Sequence, residues 1–143
     1  MSNGFVMITG VGSVAILVHD AKKSAEWYRD KLGFEIVGTE GHGVFVKPNG
    51  LQKLLLHLCE QCDDWGEDRP GGRTGVWLQC GEVTIRKDEK TGRVLPASDA
   101  ANVEKTYFEL TEKGVEFSEG LATTKWGKMA ILRDLDGNEF EIS

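Results

Sequence analysis

The sequence has few basic residues for its content of acidic ones. Lysine and arginine total 17 and aspartate and glutamate total 23, which gives a formal net charge of −6 at pH 7. Phosphate binding requires clustered lysine and arginine, so this balance argues against a nucleic-acid partner. An acidic surface attracts cationic ligands, although a charge of this size also serves solubility alone.

Long apolar runs and a secretory leader are missing as well. No hydrophobic stretch approaches the roughly 20 residues that a membrane-spanning helix needs. The N-terminus has neither the basic start nor the small-residue cleavage site of a signal peptide. We therefore expect no membrane association and a cytoplasmic location.

The chain contains only three cysteines, Cys59, Cys62 and Cys80. The first two form a C-x-x-C motif, with His57 just upstream. A structural zinc site needs four ligands, and no second cysteine pair follows at the spacing of a zinc finger. A redox C-x-x-C usually opens a helix, which lowers the pKa of a thiol, whereas this one follows an apolar run and lies at a strand end. The pattern favours reduced, unpaired thiols.

The first half of the chain reads as β-α-β-β-β. Apolar residues alternate along 13–18, which is typical of a strand. Asp20 is placed to cap a helix that ends near Gly33. Three short strands follow, separated by turns rich in glycine, asparagine and proline. They are predicted at 34–38, 43–48 and 53–59.

The second half repeats this order. A strand is predicted at 74–80, and a helix begins after Asp99 and ends near Gly114. Further strands are predicted at 114–119, 128–134 and 138–143. The segments AEWYRDKLGFEIV and KTYFELTEKGVEF, one from each half, share an aromatic pair, a leucine, and a glycine before an apolar residue and glutamate. An internal repeat of this kind indicates paired modules.

The repeat sets the predicted organisation. A length of 143 residues, with 40% hydrophobic and 28% charged residues, suits a single globular domain. We predict an α+β fold of two tandem βαβββ modules whose concave mixed sheets form a cleft. Module one covers about 5–60, a polar, glycine-rich linker covers 61–73, and module two covers about 74–143. Residues 82–98 do not fit the repeat and are predicted to form an inserted hairpin, which covers the cleft, contacts a partner or lies plainly on the surface.

Two segments resemble a known family. The stretch SVAILVHDAKKSAEWYRDKLGF is similar to the opening of proteins of the vicinal-oxygen-chelate superfamily, which includes glyoxalase I, extradiol dioxygenases and bleomycin-resistance proteins. WGKMAILRDLDGNEFEIS resembles their closing signature, in which an Asp-Pro-Asp-Gly-Asn turn precedes a strand carrying a glutamate. Leu135 replaces the usual proline and leaves the turn-forming residues in place. The resemblance covers nearly the whole chain apart from 82–98.

The resemblance implies four positions for metal ligands, on the first and last strand of each module. Carried over onto this sequence, they are Ser13, His57, Gly75 and Glu141. Only His57 and Glu141 are good ligands for a divalent metal such as Zn, Ni, Mn or Fe, whereas a catalytic site normally has three protein ligands. As catalytic candidates, His57 suits proton transfer near neutral pH and Glu141 suits cation binding or proton abstraction. The plain alternatives are a hydrogen-bonded histidine and a polar strand residue.

Other side chains on the same predicted faces are candidates for binding a ligand in the cleft. They are Ser13, Ala15, Trp77, Gln79, Trp126 and Glu139. Trp77 beside Gln79 suits a flat organic molecule, although Trp77 equally suits sheet packing or a dimer contact. If the strand register differs by one or two residues, Gln79 or Glu139 becomes a third metal ligand.

Two classes of function fit these residues. The first is a small-molecule binding protein similar to bleomycin-resistance proteins, which hold a ligand without a metal, so that no cofactor is expected. The second is a metal-dependent lyase, isomerase or dioxygenase resembling glyoxalase I or extradiol dioxygenases, in which the metal holds two vicinal oxygens of the substrate. The incomplete ligand set favours the first, and a third ligand beside His57 and Glu141 would favour the second. The resemblance implies a homodimer in either case.

Overall fold

The computed structural model of the protein describes residues 7–50, 54–62, 65–124 and 127–143. Within these ranges the chain forms ten strands and two short helices. In chain order they are β1 (Ser13–Val18), α1 (Ala21–Leu32), β2 (Glu35–Glu40), β3 (Gly43–Lys47), β4 (Leu55–Glu60), β5 (Gly72–Leu78), β6 (Val83–Lys87), β7 (Val94–Ser98), α2 (Ala100–Glu112), β8 (Glu116–Thr124), β9 (Gly127–Arg133) and β10 (Asn138–Ile142). Neither helix in this part of the chain has the length and apolar content to cross a membrane.

Each half of the chain folds into one four-stranded mixed sheet. The strand order is β1-β4-β3-β2 in the first sheet and β5-β10-β9-β8 in the second. In both sheets the first and last strands of the module pair in parallel, and the other neighbours are antiparallel. A helix follows the first strand of the first module and, after the hairpin, of the second. The predicted α+β fold of two βαβββ modules is confirmed.

Both helices begin where the capping pattern predicts. The carboxylate of Asp20 accepts a hydrogen bond from the backbone N–H of Lys23 at 3.0 Å, and Gly33 ends α1 with a φ of 72°. Asp99 caps α2 in the same way through the N–H of Ala101. A capping carboxylate satisfies a backbone donor that the first turn leaves free, and it stabilises the helix by about 1 kcal/mol.

The core lies between each sheet and its helix. Helix α1 packs on β2, β3 and β4, and α2 packs on β8 and β9. The strand side chains that point toward the helices are almost fully buried, and they include Val44, Val46, Leu56, Leu58, Ala130, Leu132, Phe140 and Ile142. Burying a large apolar side chain stabilises the fold by about 1.5–3 kcal/mol. Because strand residues alternate between faces, the opposite face of each sheet carries His57, Glu139 and Glu141 together with apolar residues such as Phe45 and Ile131.

A buried hydrogen-bond cluster joins the two modules. The side-chain amide of Asn138 donates to the carbonyl of Leu17 at 2.9 Å and accepts from the N–H of Gly71 at 2.9 Å. The hydroxyl of Tyr28 on α1 donates to the carboxylate of Asp134, just after β9, at 2.6 Å. The turn between β9 and β10 therefore holds module one in addition to reversing the chain.

Two further contacts strengthen this junction. The rings of Tyr28 and Phe140 meet edge to face, with 6.1 Å between their centroids. The backbone N–H of His19 donates to the carboxylate of Asp136 at 2.9 Å. Burial raises the pKa of the Asp136 carboxyl above its ordinary value, and the hydrogen bond from His19 opposes this shift. Because Tyr28 of module one packs against Phe140 of module two, the buried residues of the two modules form one hydrophobic core.

Strand β5 departs from its predicted bounds. It runs from Gly72 to Leu78, whereas the alternation predicted 74–80, so its start lies in the predicted linker 61–73 and Gln79 lies beyond its end. The physical reason is a backbone hydrogen bond at 3.0 Å from the N–H of Gly72 to the carbonyl of Gly137, which starts the strand pairing inside the glycine-rich segment. Strand β8 is also longer than the predicted 114–119.

The pairing of β5 with β10 contains an irregularity. Its register shifts between Glu139 and Glu141. The hydroxyl of Thr74 donates to the carbonyl of Glu139 at 2.7 Å and accepts from the N–H of Val76 at 3.1 Å, which satisfies the backbone groups that the shift leaves unpaired. Gly75 has a φ of 74° at this point, a left-handed conformation that glycine adopts without strain.

The inserted segment 82–98 contains a separate two-stranded antiparallel sheet, β6 with β7. The N–H of Asp88 donates to the carbonyl of Arg93 at 2.8 Å and closes the turn. At the base, the backbone N–H of Cys80 donates to the hydroxyl of Ser98 at 3.0 Å. Ile85 and Val94 are 74% and 55% exposed, so the hairpin leaves apolar side chains outside the core.

Candidate ligand-binding site

Four of the polar and aromatic candidates, His57, Trp77, Glu139 and Glu141, lie on the faces of the two sheets that point away from the helices. In the first sheet, Ala15, His57 and Phe45 are direct neighbours on β1, β4 and β3, and we call this the first inner face. In the second sheet, Trp77 on β5 is the register partner of Glu141 on β10, and we call this the second inner face.

The imidazole of His57 is packed against its own sheet. Its ring stacks on the ring of Phe45, with 4.3 Å between centroids and 13° between planes. A Cβ atom on Gly43 would collide with Nε2 of His57, so the ring occupies the space that the missing side chain leaves. Nε2 is buried, has no hydrogen-bond partner among the described residues, and lies 3.5 Å from the carboxylate of Glu40. The side chain keeps 19% of its surface exposed.

A shallow groove of about 110 Å³ runs along the second inner face. Its lining comprises Arg73, Gly75, Val76, Trp77, Glu139 and Glu141. The indole N–H of Trp77 donates to the carbonyl of Ser143 at 3.0 Å, and the hydroxyl of Ser143 donates to the carboxylate of Glu141 at 3.1 Å. Ser143 thus fixes the orientation of both groove side chains.

The carboxylates of this face differ in their partners. Glu119 pairs with Arg73 at 3.2 Å, and Glu139 lies 3.9 Å from Arg133. Within the described part of the chain, Glu141 has no basic partner at ion-pair distance, and its carboxylate accepts a hydrogen bond from the neutral hydroxyl of Ser143. The negative charge of Glu141 is therefore available to a cation or to a hydrogen-bond donor of a ligand.

A second groove, of about 220 Å³, lies where β1 approaches β5 and the segment 65–71. Ala15, Leu17, Trp65 and Thr74 are among its lining residues. The indole N–H of Trp65 donates to Sγ of Cys59 at 3.4 Å. Trp65 lies within the predicted linker 61–73. The sequence did not predict this groove, because its walls come from segments far apart in the chain.

His57 and Glu141, the two residues predicted to act together in catalysis or metal binding, lie on different sheets of the chain. His57 lies on the first inner face and Glu141 on the second, and neither of these two grooves contains both. Ser13 is exposed at the start of β1. Gln79 is exposed beyond β5, where its amide donates to the carbonyl of Gly81 at 3.1 Å. Trp126 lies outside the described residues.

The residues of a single chain do not fit the metal centre that the resemblance implies. No three histidine, cysteine, aspartate or glutamate side chains come together to hold an ion in the described ranges. Nε2 of His57 faces Gly43 and Glu40, while Ser13 and Gly75 occupy the two other implied positions. A metal site would need donors from beyond this set.

The three thiols have different surroundings. Cys59 and Cys62 are half-buried and Cys80 is buried, and none of the three forms a disulfide in the described part of the chain. Burial raises the pKa of the Cys80 thiol, so this group stays protonated and unreactive at neutral pH.

Sequence reasoning missed Glu40, Gly43 and Phe45, the residues that surround His57. Phe45 alternates with the buried Val44 and Val46, and this signal alone would have placed it on the inner face. Its pairing with His57 depends on the register of β3 against β4, which the sequence does not show.

Comparisons with known proteins give matches over nearly the whole chain. The family model for the Glyoxalase/Bleomycin resistance protein/Dioxygenase superfamily matches residues 10–142. The uncharacterized protein YraH of Bacillus subtilis (strain 168) is 30% identical over 133 residues, which cover 90% of this chain and 93% of YraH. The uncharacterized protein YetH of the same strain is 24% identical over 139 residues, which cover 94% of this chain and 97% of YetH.

Solved structures show the same architecture. A member of the Glyoxalase/bleomycin resistance protein/dioxygenase superfamily from Sphaerobacter thermophilus DSM 20745 is 30% identical, with a TM-score of 0.70 and coverage of 96% of this chain and 98% of the other. TnmS3, an antibiotic binding protein from Streptomyces sp. CB03234, is 24% identical, with a TM-score of 0.70 and coverage of 97% and 98%. At that identity, the likeness to TnmS3 shows a shared fold.

Proposed function

The chain belongs to the Glyoxalase/Bleomycin resistance protein/Dioxygenase superfamily, and from this premise we propose that it binds a small organic molecule against the inner faces of its sheets. The observation that carries the proposal is the pairing of Trp77 with Glu141 in the groove of the second inner face. Small-molecule sites combine apolar or aromatic surface with a few oriented polar groups, and this pair supplies one of each.

Trp77 is the proposed aromatic contact. Its hydrogen bond to Ser143 holds the indole in one orientation, and the ring is only half-buried. A ring that is already oriented loses little rotational freedom when a flat ligand stacks on it. The ligand is therefore expected to present a planar, apolar group to this residue.

Glu141 is the proposed polar contact. Its carboxylate lacks a basic partner in the described part of the chain, whereas Glu139 lies near Arg133 at 3.9 Å. A partly buried carboxylate gains from a charge-assisted hydrogen bond with a ligand N–H or O–H group. We propose that the ligand carries at least one such donor beside its planar group.

A homodimer is part of the proposal. The grooves of about 110 and 220 Å³ are smaller than the roughly 300–1,000 Å³ typical of ligand sites. A second copy that presents its first inner face to the second inner face of this chain would deepen them, and twofold symmetry would create two equal clefts. His57 and Glu141 of different copies would then line one cleft. We further propose a cytoplasmic location, because the absence of a disulfide among the three described cysteines suits a reducing compartment.

A thermal-shift screen with planar aromatic compounds, with and without amine or hydroxyl donors, tests the ligand. Hits are then measured by isothermal titration calorimetry. Trp77→Phe and Glu141→Gln are each expected to weaken binding about tenfold, which corresponds to ~1.4 kcal/mol. Glu116→Gln, at an exposed glutamate of β8, is the matched control and is expected to bind like the unchanged protein. Hits that bind equally well to both groove variants would contradict the proposal.

Sedimentation equilibrium tests the assembly. The expected result is a mass of twice the chain at micromolar concentration. A monomer at all concentrations, combined with normal ligand affinity, would contradict the shared cleft.

A further inference from the structure

The surroundings of Nε2 on His57 favour one of the two ring nitrogens as the site of the proton. Nε2 forms no hydrogen bond among the described residues, but the carboxylate of Glu40 lies 3.5 Å away, and a carboxylate attracts an N–H group because it carries negative charge and only accepts hydrogen bonds. A neutral imidazole carries one N–H, and a neighbouring acceptor draws that N–H to the adjacent nitrogen. Nδ1 is then left as a hydrogen-bond acceptor.

Gly43 makes this orientation sterically available. The imidazole lies over Gly43, where any side chain would collide with Nε2 and with the carbonyl of Leu58. The stack on Phe45 holds the ring from its other side. Nε2 is buried while part of the side chain is exposed, so the only ring nitrogen that a ligand could reach is Nδ1.

The turn between β2 and β3 places Glu40. Residues Gly41 and His42 form the two-residue turn, and Glu40 and Gly43 are register partners on either side of it. The carbonyl of His42 accepts a hydrogen bond from the N–H of Glu60 on β4 at 2.9 Å, which ties the turn to the strand of His57. The carboxylate of Glu40 is thereby held beside the imidazole although its side chain is 65% exposed.

We propose that Glu40 and Gly43 are positioning residues for His57: they hold Nε2–H against the sheet and leave Nδ1 as the acceptor that the cleft offers to a ligand. The role of Nδ1 toward a ligand rests on the proposed function, and it assigns the ligand a second donor group, opposite the one that Glu141 receives. The same geometry disagrees with metal ligation through Nε2, because that atom faces the sheet.

Long-range ¹H–¹⁵N correlation spectra of the histidine side chains test the tautomer directly. The unchanged protein is examined at about pH 8.5, where free imidazole is neutral. The expected result is a protonated Nε2 and an unprotonated Nδ1 for His57. A protonated Nδ1, or the tautomer mixture of a free histidine, would overturn the proposal.

Variants of Glu40 separate positioning from general structural support. Glu40→Met removes the acceptor at similar length and is expected to raise the fraction of Nδ1–H tautomer about fivefold. Glu40→Gln keeps an amide oxygen that accepts, and it is expected to restore most of the original ratio. Glu35→Met is the matched control on the same strand, since Glu35 pairs with Lys47 at 3.5 Å rather than with His57. A spectrum of Glu40→Met identical to that of the control would refute the role of Glu40.

Two further measurements address Gly43 and the metal. Gly43→Ala is expected to displace the imidazole and abolish the ring-current shift that Phe45 imposes on the His57 ring protons. If this variant does not fold, the Glu40 series still decides the proposal. Zn²⁺ added to the unchanged protein is expected to leave the Nε2 signal in place, and a Zn²⁺-induced shift at Nε2 would overturn the assignment.

None of these readouts requires a ligand. A protein that shows the Nε2–H tautomer but binds none of the screened compounds would contradict the proposed function and leave the positioning of His57 intact. If ligand binding depends on Glu141 but His57 carries its proton on Nδ1, the proposed function is supported and the positioning of His57 is contradicted.

Discussion

Arg73 and Glu119 form an ion pair at 3.2 Å although they lie on the two opposite edge strands of the second sheet. Three strand spacings of about 4.8 Å separate the edges of a flat four-stranded sheet, so the pair forms only because the sheet curves and the arginine side chain is long. Ile131, the register partner of Glu119, is 1% exposed. The pair therefore spans the second inner face, on which Ile131 also lies.

We expect this ion pair to contribute little to stability. Both side chains are more than half exposed, at 63% and 58%, and exposed pairs are worth about 0–1 kcal/mol. A double-mutant cycle of Arg73→Met and Glu119→Gln, followed by urea unfolding, should give a coupling free energy below about 1 kcal/mol. A coupling above about 2 kcal/mol would show that the pair is a structural clamp.

Tyr28→Phe is expected to lower the free energy of unfolding by about 1–3 kcal/mol. The hydroxyl is buried, and its removal deprives the Asp134 carboxylate of a hydrogen-bond donor inside the core. Burial and the nearby Asp134 raise the pKa of Tyr28 well above its ordinary value, so the phenol is protonated and donates at neutral pH. Urea unfolding measures the change.

Tyr107→Phe is the matched control for that measurement. It removes the same atom from a half-buried tyrosine that packs on Phe117, with 4.6 Å between ring centroids. We expect a loss below about 0.5 kcal/mol because, among the described contacts, no charged group bonds to this hydroxyl. Equal losses in the two variants would mean that the bond to Asp134 adds nothing.

Asp136 should make stability fall as the pH rises. Burial raises the pKa of its carboxyl in the folded protein, so the native state holds this proton more tightly than the unfolded state. The contribution is fully present below the ordinary aspartate pKa of about 3.9 and is lost as the pH rises through the folded pKa. Asp136→Asn should therefore stabilise the protein more at neutral than at acidic pH, as measured by urea unfolding.

Asp88→Asn is expected to change stability with pH in the opposite direction to Asp136→Asn. The backbone N–H of Lys90 lowers the pKa of Asp88, so the contribution of this carboxylate is present above the ordinary value and is lost as the pH falls through the folded pKa. The variant should therefore be relatively less stable at neutral pH. If the change in unfolding free energy varied with pH in the same direction for Asp136→Asn and Asp88→Asn, burial would not be the cause of the raised pKa of Asp136.

Gly75→Ala is expected to lower the free energy of unfolding by about 1–2 kcal/mol. A Cβ atom at Gly75 meets open space, so the cost comes from its φ of 74° and not from a collision. Gly38→Ala on β2 also meets open space but has no positive φ, which makes it the control. Similar urea midpoints for the two variants would contradict the role of backbone strain.

Much of the fold was predictable because its signals are local. Asp20 and Asp99 cap the helices through backbone groups two or three residues away, and Gly33 ends α1 one residue beyond its last turn. The alternation along β4 and β10 likewise matches the burial of Leu58 and Phe140. The errors at β5 arose where glycines carried the strand, since a residue without a side chain gives no alternation.

The inner faces were less predictable because they depend on register. The sequence placed His57 and Glu141 on strand faces, but not the direction of each ring or carboxylate. The contacts of His57 come from β2 and β3, and those of Glu141 from the chain end. A resemblance to a family can indicate which position holds a functional residue. The side chains that contact that residue depend on the rest of this sequence and have to be read from its structure.

The sequence by itself determined the two βαβββ modules, their caps and the faces that bury apolar side chains, because periodicity and capping act over a few residues. Only the tertiary structure decided that Asn138 joins the modules through Leu17, that Gly43 admits the imidazole of His57, and that Arg73 reaches Glu119. Asn138 and Leu17 are 121 positions apart, and Arg73 and Glu119 are 46 positions apart. Such contacts follow from strand register and sheet curvature, which are set by the packing of the whole core.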